Sequence, residues 1–163
     1  IRPELWLAAL YGQRGFALLD ARDAQTARRS FEIGLAIDRS NDDVNLGMAR
    51  MCYDDGKYEK ALGYLGIVIA ASPRRPEARM LLGHTLAGMG RWRAARTELE
   101  TWASLQPWSG QAQIEVAQAD CRLGDYAGAR AKLEFALAHS ICDVDEVNAR
   151  LKDLHGRAAA FLN

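Results

Sequence analysis

Residues 42–73 read DDVNLGMARMCYDDGKYEKALGYLGIVIAASP, two apolar-periodic stretches on either side of a DDGK turn. Residues 76–107, PEARMLLGHTLAGMGRWRAARTELETWASLQP, and 110–141, GQAQIEVAQADCRLGDYAGARAKLEFALAHSI, repeat that arrangement at the same 34-residue step. Residues 8–39, AALYGQRGFALLDARDAQTARRSFEIGLAIDR, are a weaker copy one step upstream. Four units (8–41, 42–75, 76–109 and 110–143) therefore tile the chain without insertion or deletion. A fixed period of this length marks stacked helix pairs, each burying its apolar face against its neighbours.

The repeat columns carry physical content. Gly15, Ala49, Gly83 and Ala117 are small residues in mid-helix, where Gly costs about 0.8–1 kcal/mol relative to Ala. Paying for it twice in one column predicts a close neighbour there. Ala27, Ala61, Ala95 and Ala129 form a second small column, and Phe31, Leu65, Leu99 and Leu133 follow four residues later on the same helical face. Arg22, Gly56, Gly90 and Gly124 mark the turn, where Gly takes the left-handed conformation that ends a helix. Ala24, Tyr58, Trp92 and Tyr126 come two residues on, and Arg39, Pro73, Pro107 and Ile141 close each unit.

Length, spacing and residue size together resemble the tetratricopeptide repeat (TPR) family over about four fifths of the chain. The resemblance implies an all-α, right-handed superhelical solenoid of antiparallel helix pairs, a single domain over residues 1–163. Unit one departs from the pattern at Arg22, Ala24 and Arg39. The column Tyr11, Asn45, Arg79 and Gln113 departs too, as does Asp120, whose counterparts are Leu18, Cys52 and Leu86.

Helices are expected near residues 4–21, 24–38, 43–54, 58–71, 77–89, 92–105, 110–123 and 126–139. Val144, Val147, Leu151, Leu154, Ala158 and Phe161 then make one apolar stripe. That stripe predicts a capping helix at about 144–162, with the first helix of a cut-short fifth unit as the alternative. Trp6 and Leu10 are expected to cap the N-terminal end of the stack.

The chain has 21 basic and 21 acidic residues, a formal net charge of zero, which argues against a broad nucleic-acid footprint. Apolar content of 49% is ample for stacked cores, and no run is long and apolar enough for a membrane span. The start, IRPELWLAALYG, lacks an initiator Met and a basic leader, so a piece of a larger protein is expected. Cys52, Cys121 and Cys142 form no disulfide framework; they lean towards a reducing, cytoplasmic setting, with the periplasm open if a signal peptide was removed.

No phosphate loop, HExxH motif or close Cys/His set is present, so no cofactor, metal site or catalytic residue is expected. In TPR-like stacks the first helix of each pair lines the concave surface. Carried over by column, this implies Phe16, Leu46, Arg50, Tyr53, Met80, His84, Ile114 and Gln118 as protein-binding candidates. The plain alternative is that Phe16, Leu46, Met80 and Ile114 only seal adjacent helices and that His84 is structural. The lysine, asparagine and arginine constellation that clamps an acidic chaperone tail is absent: Gly12, Phe16, Gly47, Glu77 and Leu81 stand there.

The resulting expectation is a noncatalytic scaffold or adaptor binding a peptide or helical segment in its groove. The alternative is an architectural domain for homo-oligomerisation or docking in a secretion or assembly complex. Trp6 and Trp108 would then be the interface residues.

Overall fold

A computed structural model describes residues 3–139 and 141–161, with side chains from Glu4 to His139 and from Ile141 to Arg157. Among the described residues the chain is all helical: α1 (Pro3–Asp20), α2 (Ala24–Ile37), α3 (Asp42–Asp54), α4 (Tyr58–Ala71), α5 (Pro76–Gly88), α6 (Trp92–Leu105), α7 (Gly110–Leu123), α8 (Tyr126–Ala138) and α9 (Val144–Phe161). Every expected helix is present, with ends displaced by one residue at most. Two compact units, Ile1–Met89 and Gly90–Asn163, make up the chain.

The turn column sets the pairing. Arg22, Gly56, Gly90 and Gly124 all have positive φ, between 62° and 80°. Arg22 thus takes the conformation its glycine counterparts adopt freely. The same pair of bonds ends α1, α3 and α7: Asp23 N–H to Leu18 O and Arg22 N–H to Leu19 O in the first, Lys57 to Cys52 and Gly56 to Tyr53 in the second, Asp125 to Asp120 and Gly124 to Cys121 in the third. This Schellman pattern satisfies carbonyls that the helix end would leave open. Side chains of Asp23, Asn41, Ser109 and Asp125 cap α2, α3, α7 and α8 through the amides of Thr26, Val44, Ala112 and Gly128.

In the first unit the core turns on Phe31, fully buried between α1 and α3. A Cβ at Gly15 would lie 2.3 Å from the Phe31 ring, and one at Gly47 would lie 2.1 Å from it. Gly15 of the small column, and Gly47 outside it, therefore admit an aromatic ring, where the sequence pointed only to a nearby helix. Phe16 meets Phe31 edge-on at 5.3 Å. A second cluster joins Leu46, Ala49, Leu65, Val68, Ala78 and Leu81.

In the second unit Ile114, Ala117, Ala129, Leu133, Val147 and Leu154 form one cluster, so α9 contributes directly to the core. The opposite side of α9 is exposed at Asn148, Lys152 and His155, and Val144, expected in the apolar stripe, is 52% exposed one turn before Asn148. The side chains of Ala158 and Phe161, expected in its apolar stripe, lie outside the described residues. Trp102 is buried and donates from Nε1 to Gln106 Oε1 at 2.8 Å.

Asp120 occupies an apolar column yet has a fully buried side chain. Its Oδ1 lies 2.8 Å from Arg96 Nε, and Arg96 also reaches Glu100 at 3.1 Å and Asp125 at 3.5 Å. Burial pushes the Asp120 carboxyl above its ordinary range, against the pull of Arg96.

Candidate functional site

The first unit carries a groove of about 350 Å³ lined by Phe16, Leu46, Arg50, Arg75, Glu77, Met80 and Leu81. Leu46 and Leu81 are buried and form its floor, while Phe16 and Met80 are half-buried walls. The period of the helix explains the grouping: Leu46 and Arg50 are one turn apart on α3, as Glu77 and Leu81 are on α5. Arg50 stands exposed on the rim, its Nε 3.1 Å from Asp54. Arg75 pairs with Asp43 at 2.6 Å and with Glu77 at 3.8 Å, fixing the rim between α3 and α5.

Four of the sequence candidates, Phe16, Leu46, Arg50 and Met80, therefore meet in one groove. Tyr53 and His84 sit elsewhere, with ring centroids 6.3 Å apart and Tyr58 5.9 Å from Tyr53. Both lie about one turn further along their helices than the groove residues. Arg75, Glu77 and Leu81 complete the groove but were not among the candidates. Arg75 lies in the junction before Pro76, outside the helix columns from which candidates were drawn.

The second unit repeats this geometry. A groove of about 460 Å³ is lined by Ile114, Gln118 and Cys121 of α7 and by Glu146, Ala149 and Arg150 of α9, among others. Ile114 is buried in its floor and Gln118 is exposed on its rim. Ile114 and Gln118 hold the repeat positions of Leu46 and Arg50. Glu146, Ala149 and Arg150 reproduce the spacing of Glu77, Met80 and Leu81.

Trp6 and Trp108 are 70% and 67% exposed. Trp108 stacks near Phe135 at 6.5 Å and approaches His139 at 5.4 Å, on the surface of the second unit.

Burial pushes the thiols of Cys52, Cys121 and Cys142 up, which disfavours the reactive thiolate. Among the described residues no group of three His, Cys, Asp or Glu side chains could hold a metal ion. No described helix is long and apolar enough to cross a membrane.

Residues 53–113 match the tetratricopeptide repeat family. No curated protein sequence matches the chain significantly. Among solved structures, MamA (residues 41 to the end) from Desulfovibrio magneticus RS-1 is 20% identical, with a TM-score of 0.73, covering 82% of this chain and 75% of MamA. TTC0263, a thermophilic TPR protein of Thermus thermophilus, is 20% identical at a TM-score of 0.70, covering 93% and 82%. PilF of Pseudomonas aeruginosa is 17% identical at a TM-score of 0.82, covering 99% and 73%. At these identities the likeness establishes the fold. The match to the tetratricopeptide repeat family thus covers residues 53–113, and the helix-pair fold of the chain is the one it shares with these solved structures.

Proposed function

We propose that the chain is a noncatalytic protein-interaction scaffold that seats an extended or helical segment of a partner between α3 and α5. The α7–α9 groove is a second seat of the same design. The observation that carries this reading is the make-up of the first groove. An apolar floor from Leu46 and Leu81 lies open beside Phe16 and Met80, with guanidinium groups of Arg50 and Arg75 at the rim. Apolar anchoring with a polar rim is what segment recognition requires. Arg side chains at such a rim are frequent energetic anchors.

The test uses peptides selected from a displayed random library on the unaltered chain. Arg50→Glu combined with Met80→Glu removes their binding while the circular dichroism spectrum is preserved. Undiminished binding by a folded double variant rejects the groove.

A further inference from the structure

We propose that the partner segment seated in the α7–α9 groove is acidic where it leaves that groove, its carboxylates meeting Arg122, Arg93 and Arg91. This rests on the groove reading above and adds the chemistry of the partner.

Ile114, Gln118 and Arg122 follow one another at i, i+4 and i+8, one row along α7 that ends at the α7–α8 turn. All three line the groove. A segment lying along this row meets the buried Ile114 first and the exposed Arg122 last. Arg122 in turn rests over Trp92 of α6, its guanidinium carbon 5.3 Å from the ring centroid. Arg91 and Arg93 flank Trp92 in sequence and are both exposed.

These three arginines have no acids of their own. The other arginines of the groove are matched: Arg150 pairs with Glu146 at 2.8 Å and Arg157 with Asp153 at 2.8 Å. At the turn, Asp120 and Asp125 are both held by Arg96. Among the described residues Arg91, Arg93 and Arg122 form no ion pair. The repeat columns show how the imbalance arises. In the first unit Lys57, the counterpart of Arg91, reaches Asp55 at 2.8 Å. The next copy has Met89 in the Asp55 column and Arg93 in the Glu59 column, and Arg122 stands where α3 has Asp54. Three acidic columns have thus lost their charge or reversed it.

A guanidinium over an indole keeps its N–H edge free for a carboxylate. Unmatched cations at the end of an apolar row therefore select a segment whose apolar stretch is followed by acids. A nucleic acid fits less well. The chain has no net charge to attract it, and Glu146 and Asp153 of the same groove oppose a phosphate backbone.

Peptides selected from a displayed random library on the unaltered chain are expected to carry Asp or Glu at one end of an apolar stretch. Changing those acids to Asn or Gln weakens a selected peptide about tenfold in an anisotropy titration. Arg93→Glu with Arg122→Glu loses the acidic peptide but binds its lysine-substituted version. Arg93→Gln with Arg122→Gln, a milder change, prefers neither version. Arg29→Gln with Arg39→Gln removes the same charge from exposed positions of the first unit and leaves binding unchanged. Ala149→Gln fills the groove from an exposed position without altering charge and weakens every selected peptide.

Selected peptides that are lost on Ala149→Gln, yet show no acidic end or ignore the Arg93 and Arg122 variants, overturn this inference and leave the groove reading standing. Acidic peptides indifferent to Ala149→Gln, or a library that yields no binder, reject both. An equal loss in the Arg29 and Arg39 control, or tighter binding of an oligothymidylate than of the acidic peptide, also overturns the inference.

Discussion

Asn45 donates from Nδ2 to the backbone carbonyl of Arg39 at 2.8 Å, tying the first turn of α3 to the junction before it. The relationship recurs in register. Arg79 Nε donates to Pro73 O at 2.9 Å, and Gln113 Nε2 approaches Pro107 O at 3.5 Å. Three different polar side chains in one column thus hold the carbonyl of one loop column. Asn45 is fully buried and also donates to Asn41 O at 2.8 Å. Asn45→Ala removes the donor to the Arg39 carbonyl, while Asn41 O keeps the backbone N–H of residue 45, and is expected to destabilise by about 1–2 kcal/mol. Urea unfolding checks this, with Arg79→Ala expected to cost less because its bond is exposed.

Arg22 is a non-glycine residue at φ 62°, in a column otherwise filled by glycine. The left-handed conformation costs an L-residue roughly 1–2 kcal/mol, and added freedom in the unfolded chain offsets part of the relief. Arg22→Gly is therefore expected to stabilise by about 1 kcal/mol, read as a higher urea midpoint at unchanged slope.

Gly47→Ala sets two effects against each other. Helix propensity favours Ala by about 1 kcal/mol. The new Cβ would stand 2.1 Å from Phe31, whose ring cannot retreat because Gly15 is packed on it as well. Overpacking of this kind costs about 1–3 kcal/mol, so the clash wins and a lower melting temperature is expected. Gly63→Ala, with nothing within 4 Å of its Cβ, is the stabilising control.

Asp120 gives the chain a pH signature. Its folded-state pKa is raised by burial, so its contribution to stability is fully present below the unfolded pKa and is lost as pH rises through the folded value. Asp120→Leu restores the residue type of its column and leaves Arg96 with Glu100 and Asp125. The variant is expected to be the more stable form at about pH 7. Its advantage shrinks towards about pH 4, as Asp120 in the unaltered chain takes up its proton. Urea midpoints measured across that range check the slope.

The helix pairs were legible in the sequence because their columns repeat residue size at a fixed step. Turn glycines and closing prolines then marked the ends. The role of Asn45, Arg79 and Gln113 was not legible: side chains that differ in length and charge reach one carbonyl column, and nothing in their chemistry announces a common partner. Phe16, Leu46, Arg50 and Met80 could be grouped from helix period alone. Arg75 could not, because a junction residue has no period. The second groove was hidden for another reason. Glu146, Ala149 and Arg150 sit one residue out of step with the 34-residue frame, and only the packing of Val147 and Leu154 reveals their correspondence.

Phe31 belongs to α2, yet its ring is held by glycines of both α1 and α3. The poorest copy of the repeat is thereby keyed into a better one. Loosening α1 and α2 exposes the ring and strips α3 of its neighbour, so these three helices give way as one cooperative block instead of fraying helix by helix.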